Sequence, residues 1–297
     1  MTAMASVTAA EWLERAALVS PRNELFIDGA FVPAASGQTF DDITGRDGSI
    51  ITRVAKGGAE DVDRAVAAAR RSFDDGRWAD QSPANRKRVL LRLAELIRAN
   101  RDELALLESL DVGKPIRDTR VEVEKVAEMF EYYAGWCDKF HHIAGTVNSV
   151  AGPYFNFTTP EPTGVVGIVA PGTPGLLGLV SRLAPALVSG NTTIVLTGEA
   201  SPFTAVSMSE VVATSDVPGG VVNILTGATH DLLPWLLGHR DVNAVDLTGA
   251  PPDLQASVIA EAADNVKRLI RGEPDDQSPY VIADFCEMKT VWHPIGQ

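Results

Sequence analysis

The sequence predicts an α/β protein with a mostly parallel sheet, helices flanking that sheet, a helical region before it and a projecting β hairpin. Three patterns predict this class. From residue 163 onwards, short β-branched runs alternate with helix-length segments; residues 61–140 carry apolar residues at helical spacing; residues 145–159 alternate weakly between apolar and polar. Strands separated by helix-length segments are typical of βαβ units, in which helices cover both faces of parallel strands. The parallel part is therefore Rossmann-like.

The N-terminal region is predicted to begin with a short amphipathic helix over residues 9–19. Its apolar residues fall roughly on one side of the helix: Trp12, Leu13, Ala16 and Leu18. This face packs either on its own domain or on a partner, and the pattern favours the first alternative. Glu11 and Glu14 interrupt the apolar stretch and no basic segment precedes it, so we expect no signal peptide. Residues 1–22 are interpreted as an N-terminal extension.

The next region is predicted to form short strands and then four helices. Residues 24–55 alternate apolar and polar residues between Gly and Asp-Gly breaks, which is typical of strands and turns. Ser82 followed by Pro83 is a favourable helix start, because serine caps the N-terminus and proline suits the first helical position. The predicted helices span residues 61–73, 83–99, 101–110 and 121–140.

The parallel sheet is assigned to five short runs, at residues 165–169, 192–196, 221–225, 244–247 and 280–282. Together these patterns divide the chain. One domain is formed by residues 23–140 and 160–283, and the hairpin by residues 141–159. Residues 284–297 are left as a C-terminal tail.

Composition limits the classes of partner. The chain has 297 residues, of which 45% are hydrophobic, and a formal net charge of −13. An acidic balance argues against nucleic acid and anionic membranes, since phosphate binding requires a basic surface. The two cysteines, Cys137 and Cys286, lie far apart, which predicts neither a disulfide framework nor a metal site. We therefore expect a reducing, cytoplasmic location and no metal.

Six segments occur in an order that belongs to one enzyme family. Residues 26–31 read Phe-Ile-Asp-Gly-Ala-Phe, residues 111–115 Asp-Val-Gly-Lys-Pro and residues 132–136 Tyr-Tyr-Ala-Gly-Trp. Residues 161–171, 183–191 and 218–227 follow with Glu-Pro-Thr-Gly-Val-Val-Gly-Ile-Val-Ala-Pro, Leu-Ala-Pro-Ala-Leu-Val-Ser-Gly-Asn and Pro-Gly-Gly-Val-Val-Asn-Ile-Leu-Thr-Gly. In this order they resemble the first half of an aldehyde dehydrogenase, over residues 22–283.

The resemblance implies a specific chemistry. Aldehyde dehydrogenases use a cysteine thiolate, an asparagine amide that holds the oxyanion, a glutamate general base and a nicotinamide cofactor. This chain resembles a truncated form without the catalytic domain that supplies the thiolate, and the surroundings of Cys286 do not resemble the nucleophile loop. Thr173 stands at the asparagine position. Arg271 or Gly272 falls at the base position, with Glu273 close by; a solvated acidic loop is the more ordinary interpretation of this segment. No catalytic residue is assigned.

The resemblance also identifies remnants of a cofactor site. The family's ribose-binding lysine is replaced by Thr197, and Glu199 matches the adjacent glutamate only if one residue is deleted. Thr229 and Leu233 occupy positions that are small glycines in the family. In the pyrophosphate turn Pro251 and Pro252 remove backbone donors and Leu254 replaces a glycine. The vestigial cofactor residues are Glu199, Gly227, Thr248 and Gly249. We expect no bound cofactor, with weak NAD(P) binding as the alternative.

Three functions remain open. In the first, the chain is a pseudoenzyme that acts as a structural or regulatory subunit, in a homodimer or a hetero-oligomer with a full-length aldehyde dehydrogenase. The resemblance implies that the hairpin serves oligomerisation, and we expect no C-terminal strand to join it. Its backbone groups would then be unpaired, which predicts a partner chain.

In the second, the emptied cleft binds a small organic molecule, or transforms it without redox chemistry. Ligands sit at the carboxyl ends of strands in such sheets, and the polar residues there are Thr173, Glu199, His230, Asp231 and Glu273. A loop histidine followed by a helix-capping aspartate is the more ordinary interpretation of His230 and Asp231. In the third, NAD(P)-dependent aldehyde oxidation occurs only with a second chain.

Overall fold

A computed structural model gives the fold of this chain and describes residues 7–19, 22–173, 175–198, 201–274 and 276–296, with only the backbone at 204 and 255–258. The strands are β1 (Leu25–Ile27), β2 (Ala30–Val32), β3 (Thr39–Ile43), β4 (Ile50–Ala55), β5 (Thr146–Asn148), β6 (Tyr154–Pro162), β7 (Val165–Ala170), β8 (Thr192–Thr197), β9 (Val222–Thr226), β10 (Ala244–Asp246), β11 (Arg268–Ile270) and β12 (Cys286–Pro294). The helices are α1 (Ala9–Leu18), α2 (Ala59–Asp74), α3 (Pro83–Ala99), α4 (Arg101–Val112), α5 (Ile116–Ala134), α6 (Phe140–Ala144), α7 (Gly175–Val188), α8 (Pro202–Ala213), α9 (Thr229–Gly238), α10 (Pro252–Asp264) and α11 (Pro279–Asp284).

The main sheet confirms the predicted fold class. Its strand order is β11-β10-β7-β8-β9-β1-β2, and the five strands from β11 to β9 are parallel. Strands β1 and β2 extend it in the antiparallel sense. The sheet is a Rossmann-like layer, and it places the carboxyl ends of β7, β8, β9 and β10 along one edge, called the carboxyl edge below.

Helices cover both faces because the strands are apolar on both faces. On β7, Val166 and Ile168 join the core beneath α3, α4, α5, α7 and α8, whereas Val165 and Val169 join the core beneath α2 and α9. Gly167 lies between them because a Cβ atom there would come within 2.6 Å of Leu236 on α9. Buried parallel strands of this kind read as continuous apolar runs.

The predicted helical region is confirmed, with shifted ends. Helix α3 begins at Pro83, and the Ser82 hydroxyl accepts a hydrogen bond from Asn85 N, as the sequence predicts for a serine cap. The last predicted helix divides into α5 and α6. Helix α1 forms as predicted and carries a capping box between Thr8 and Glu11. None of its residues is buried, and Leu13 and Leu18 are 61% and 82% exposed.

A second sheet corrects the prediction that residues 284–297 are a tail and that no strand joins the hairpin. Strand β12 pairs antiparallel with β6 over its full length, from Cys286 opposite Pro162 to Pro294 opposite Tyr154. With β5 on the other side, the order is β12-β6-β5. We call this the assembly sheet. Strand β6 of the hairpin is therefore paired on both sides, and the prediction that the hairpin is left unpaired is wrong.

One predicted strand of the main sheet is also wrong. Residues 280–282 lie in α11, which starts at Pro279 and is capped by Ser278, whose hydroxyl accepts a hydrogen bond from Tyr280 N. The β-branched run Val281 and Ile282 is buried, but in a helical turn that packs on α7. Its place at the sheet edge is taken by β11. None of the described helices is long and apolar enough to span a membrane.

Candidate functional site

The carboxyl edge is the candidate site, because ligands of open α/β sheets bind there. Thr173 lies in the loop after β7 and is exposed to solvent. Glu273, in the loop after β11, is also exposed. Glu199 lies outside the described residues. The two other members of the predicted polar set, His230 and Asp231, lie at the start of α9, after β9.

The N-terminus of α7 is occupied by a carboxylate from the chain itself. Glu108 of α4 is 1% exposed and accepts hydrogen bonds from Gly175 N at 3.0 Å and from Leu176 N at 3.3 Å. Free N–H groups at a helix N-terminus are an anion-binding feature, since they add to the positive end of the helix dipole. Here Glu108 satisfies them, so this terminus offers little to an external anion.

The turn after β10 keeps Thr248 and Gly249 for structural contacts. Gly249 N donates to Val169 O at 3.0 Å, and a Cβ atom on Gly249 would lie 2.3 Å from the backbone of Ala170. The Thr248 hydroxyl donates to Asp246 and accepts from Gly272 N. Only glycine fits against Ala170, and only a hydroxyl bridges Asp246 to Gly272. Internal packing and hydrogen bonding therefore account for both residues without a bound cofactor.

Beneath this turn lies a buried ion pair. Arg182 on α7 and Asp246 at the end of β10 are both fully buried, and Arg182 Nε lies 2.6 Å from Asp246 Oδ2. A second carboxylate, that of Asp284, lies 3.9 Å from Arg182 Nη2. The ring of Phe285 lies beneath the guanidinium, with its centroid 5.4 Å from Cζ. The guanidinium thus fills the space between β10 and α11.

Helices α9 and α10 are linked across their N-terminal ends. His230 Nε2 lies 2.9 Å from Asp253 Oδ2, and this contact holds the pKa of Asp253 below its ordinary value. Asp231 instead faces Lys56, at 3.9 Å. The interpretation of Asp231 as a helix cap is wrong, because α9 begins at Thr229 with Ala228 at the cap position. The two adjacent residues therefore bind different partners and do not converge on one point.

The cavity between two strand ends of this edge is small. Between the ends of β7 and β8, the described residues line a cavity of about 10 Å³: Ala170, Pro171, Gly172, Gly175, Leu179, Thr197, Gly198, Ser201 and Ala205. Ligand sites typically enclose several hundred Å³. Gly227 has a φ of +150°, which favours glycine, and its missing Cβ would lie 3.1 Å from Leu232. This cavity, as the described residues form it, is far smaller than a dinucleotide needs.

Neither cysteine is suited to nucleophilic attack. Cys137 and Cys286 are buried, and burial raises the pKa of their thiols to about 12 and about 11. The reactive form of cysteine is the thiolate, which such a shift suppresses near neutral pH. Among the described residues, no group of three or more His, Cys, Asp or Glu side chains could hold a metal ion. Neither cysteine thus supplies an activated thiolate.

Sequence reasoning missed the residues that fill the edge. Glu108 lies 67 residues before Gly175, whose N–H hydrogen bond it accepts, and Arg182 lies 64 residues before Asp246. A signal existed for Arg182 and Asp246, since each places a charge within an otherwise apolar run. Charges in such positions are almost always paired, but the sequence gives no means of choosing the partner.

Comparison with known proteins agrees with this fold. The model of the aldehyde dehydrogenase family matches residues 31–295. The chain belongs to the aldehyde dehydrogenase family. It is 38% identical over 267 residues to a putative aldehyde dehydrogenase, DhaS, from Bacillus subtilis, which covers 90% of this chain and 53% of that protein.

Solved structures of the family superimpose on the chain. The aldehyde dehydrogenase KauB from Pseudomonas aeruginosa matches with a TM-score of 0.82 and 34% identity, covering 89% of this chain and 53% of KauB. A betaine aldehyde dehydrogenase from Staphylococcus aureus, solved in complex with NAD+, matches with a TM-score of 0.80 and 28% identity over 87% of this chain and 51% of its own. The chain thus spans about half the length of the relatives that it matches.

Proposed function

We propose that this protein is a non-catalytic member of the aldehyde dehydrogenase family that acts as a structural or regulatory subunit. It would assemble through the assembly sheet, as a homodimer or with a full-length aldehyde dehydrogenase. One observation carries the proposal: the chain's own side chains fill the carboxyl edge, while the assembly sheet is complete and exposed. A cytoplasmic location, without nucleic acid or membrane partners, is part of the same proposal.

The filled edge supports the non-catalytic part. Glu108 satisfies N–H groups of α7, and Gly249 packs on the backbone of Ala170. The pyrophosphate turn leads into α10 through Pro251 and Pro252, which have no N–H to offer a phosphate. A nucleotide would have to displace these internal contacts before it could bind. We therefore expect neither NAD nor NADP to bind tightly, and no aldehyde oxidation by this chain alone.

The assembly sheet supports the subunit part. Across one face, Val147, Phe155, Phe157 and Val291 occupy neighbouring positions on the three strands, and Val147 and Phe155 are 72% and 44% exposed. The rings of Phe155 and Phe157 lie 5.5 Å apart. A contiguous apolar patch on a projecting sheet is typical of a protein interface. We infer that another chain covers it.

Nucleotide titration tests the first part. The purified protein is titrated with NAD and with NADP by calorimetry. The Staphylococcus aureus betaine aldehyde dehydrogenase, which was solved in complex with NAD+, is the positive control. The proposal predicts no saturable heat for this chain. Stoichiometric binding with a dissociation constant in the micromolar range, or turnover of an aldehyde, would contradict it.

Light scattering of a variant tests the second part. Phe155→Glu places a charge in the apolar patch, and we expect the oligomer to dissociate because burying an unpaired charge is costly. Ile50→Glu is the matched control: Ile50 is 59% exposed on β4, away from the assembly sheet, and should leave the mass unchanged. A Phe155→Glu protein with the wild-type mass would argue against the interface.

A further inference from the structure

We propose that two copies of this chain pair along β12, antiparallel and about a two-fold axis at Thr290, so that their assembly sheets become one continuous sheet. This inference rests on the proposed subunit function and names its partner as a second copy. The contact at β12 is additional to the one proposed at Phe155, because edge pairing leaves that face of the joined sheet uncovered. The observation behind it is that β12 forms one end of the order β12-β6-β5 and is exposed at seven of its nine positions, from Glu287 to Thr290 and from Trp292 to Pro294.

The backbone direction of β12 follows from two prolines. Cys286 and Met288 lie opposite Pro162 and Pro160, which have no N–H. These pairs must therefore be non-hydrogen-bonded, with backbone groups that point away from the partner strand. A hydrogen bond at the next position, from Thr163 N to Phe285 O at 3.2 Å, agrees. Because the two kinds of pair alternate, the outward positions of β12 are the even-numbered residues, including Met288, Thr290 and Trp292.

The opposite edge of the assembly sheet is poorly suited to pairing. Strand β5 has three residues and covers β6 only from Asn156 to Thr158. Beyond it, the outward positions of β6 are Pro160 and Pro162, which have no donors, and Tyr154 N already donates to Gly152 O at 2.9 Å. Short edge strands and prolines are the features by which proteins prevent edge pairing. Strand β12 has neither between Met288 and Trp292.

One register uses all of these groups. When Thr290 lies opposite Thr290 of the second copy, Met288 lies opposite Trp292, and every outward N–H from Met288 to Trp292 meets a carbonyl. The outward backbone groups beyond this stretch are not available for a full pair. Cys286 O already accepts from Arg268 Nη1, and Pro294 has no N–H. A shift of two residues places Met288 opposite Pro294, or Trp292 opposite Cys286. Either shift loses backbone hydrogen bonds.

The side chains favour the same register. Glu287 then lies opposite His293, whose ring N–H can donate to the carboxylate, and Met288 lies opposite Trp292, which is a favourable thioether–aromatic contact. Met288 and Trp292 are 46% and 58% exposed, so both have surface to bury. A register centred on Lys289 opposes two lysines, and one centred on Val291 opposes Lys289 to His293. Like charges directly opposite each other are destabilising.

Cysteine cross-linking distinguishes these registers. Lys289→Cys protein is mixed with Val291→Cys protein under mild oxidation; the native Cys137 and Cys286 are buried and give little background. The proposed register places the two new thiols directly opposite, so the mixture should form disulfide-linked dimers far more than either variant alone. Cross-linking of Lys289→Cys alone or of Val291→Cys alone would indicate one of the shifted registers and overturn the proposal.

A backbone variant tests the hydrogen bonds. Thr290→Pro removes the central outward N–H but no bond to β6, whereas Thr290→Val keeps the N–H and equally loses the contact with Thr158. We expect Thr290→Pro to raise the dimer dissociation constant about 10- to 100-fold, since two backbone hydrogen bonds are lost, and Thr290→Val to dimerise like wild type.

If Thr290→Pro remains dimeric but Phe155→Glu dissociates, pairing along β12 is wrong while the subunit function stands. If the wild-type chain is monomeric and joins no relative, the subunit function itself fails.

Discussion

Polar groups at two edges of this molecule are arranged in opposite ways: most of those discussed at the first bind within the chain, and those at the second point outward. At the carboxyl edge of the main sheet, Glu108 caps α7, Asp246 holds Arg182, and Gly249 packs directly on β7. At the edge of the assembly sheet, Met288, Thr290 and Trp292 direct backbone groups outward, in an exposed strand. The first edge belongs to the half of the fold that binds cofactor in the family, and the second to the part that the resemblance links to oligomerisation.

The difference shows that hydrogen-bonding groups with and without internal partners indicate different functions. A binding edge needs donors and space that the protein does not use itself. At the carboxyl edge, the N–H groups of Gly175 and Leu176 and the Nε of Arg182 have internal partners, and the cavity between β7 and β8 is small. The assembly sheet keeps a free edge and an apolar patch. The contrast supports assembly rather than catalysis as the retained role.

The largest expected effect comes from removing the buried carboxylate that pairs with Arg182 at the carboxyl edge. Asp246→Ala leaves Arg182 buried without its 2.6 Å partner, and we expect a loss of about 3–5 kcal/mol in the free energy of unfolding. The double variant Arg182→Met with Asp246→Ala should recover most of that loss, because it removes the unpaired charge. Urea denaturation measures both. A loss below about 1 kcal/mol for Asp246→Ala would mean that the pair does not stabilise the edge.

The buried carboxyl of Asp42 offers a comparison with Asp246, because no ion pair joins it to a cation among the described residues. Asp42 of β3 is fully buried, burial raises its pKa from 3.8 to about 6, and the carboxyl of Asp111 lies within hydrogen-bond reach. A raised pKa means that the folded state holds the proton more tightly, so stability is lost as pH rises from about 4 through about 6.

Asp42→Asn should remove this cost. We expect it to raise the free energy of unfolding by about 3 kcal/mol at pH 7.5 and by almost nothing at pH 3.5, since one pKa unit corresponds to about 1.4 kcal/mol. Thermal unfolding across this pH range measures the difference. An equal effect at both pH values would show that the change acts through packing and not through the proton.

A smaller effect is expected at the N-terminus of α7. Glu108→Gln keeps an acceptor for Gly175 N and Leu176 N but loses the negative charge beside the helix dipole. We expect a cost of about 1 kcal/mol, as for other charges at helix N-termini. Chemical denaturation measures it, with Glu128→Gln as the control, because Glu128 is exposed and lies beyond the first turn of α5. A variant as stable as wild type would mean that the negative charge of Glu108 does not stabilise the N-terminus of α7.

The smallest effect is expected at His230. Its contact with Asp253 is exposed, with the two side chains 57% and 70% accessible. Exposed ion pairs contribute little to stability because water screens them. We expect His230→Ala to unfold at the same temperature as wild type and still to bind no NAD. Appearance of nucleotide binding would show that this contact, and not the filled edge, closes the cleft.

Much of the fold could be predicted from the sequence, because its signals are local. The run at β7 is continuously apolar, those at β8 and β9 are rich in β-branched residues, and Ser82 with Pro83 marks a helix start. Strand β12 was missed because its partner β6 lies far away in sequence, and because its exposed residues are mostly polar. The β-branched residues at 281 and 282 suggested a strand, but Ser278 and Pro279 begin a helix there.

The candidate site was less predictable. The polar residues after the strands could be identified, but not their partners: His230 binds Asp253 and Asp231 faces Lys56. The retained Thr248 and Gly249 resemble a cofactor turn, although packing and an internal hydrogen bond account for both. A sequence shows which residues are kept, whereas only the contacts show for what purpose.

Native mass spectrometry of the protein isolated from its own cells, before and after addition of NAD, tests the central claim most directly. We predict a dimer or larger oligomer of this chain, or a complex that contains a full-length aldehyde dehydrogenase, in which this chain gains no mass when NAD is added. A monomer that takes up one nucleotide per chain would contradict the account at both edges.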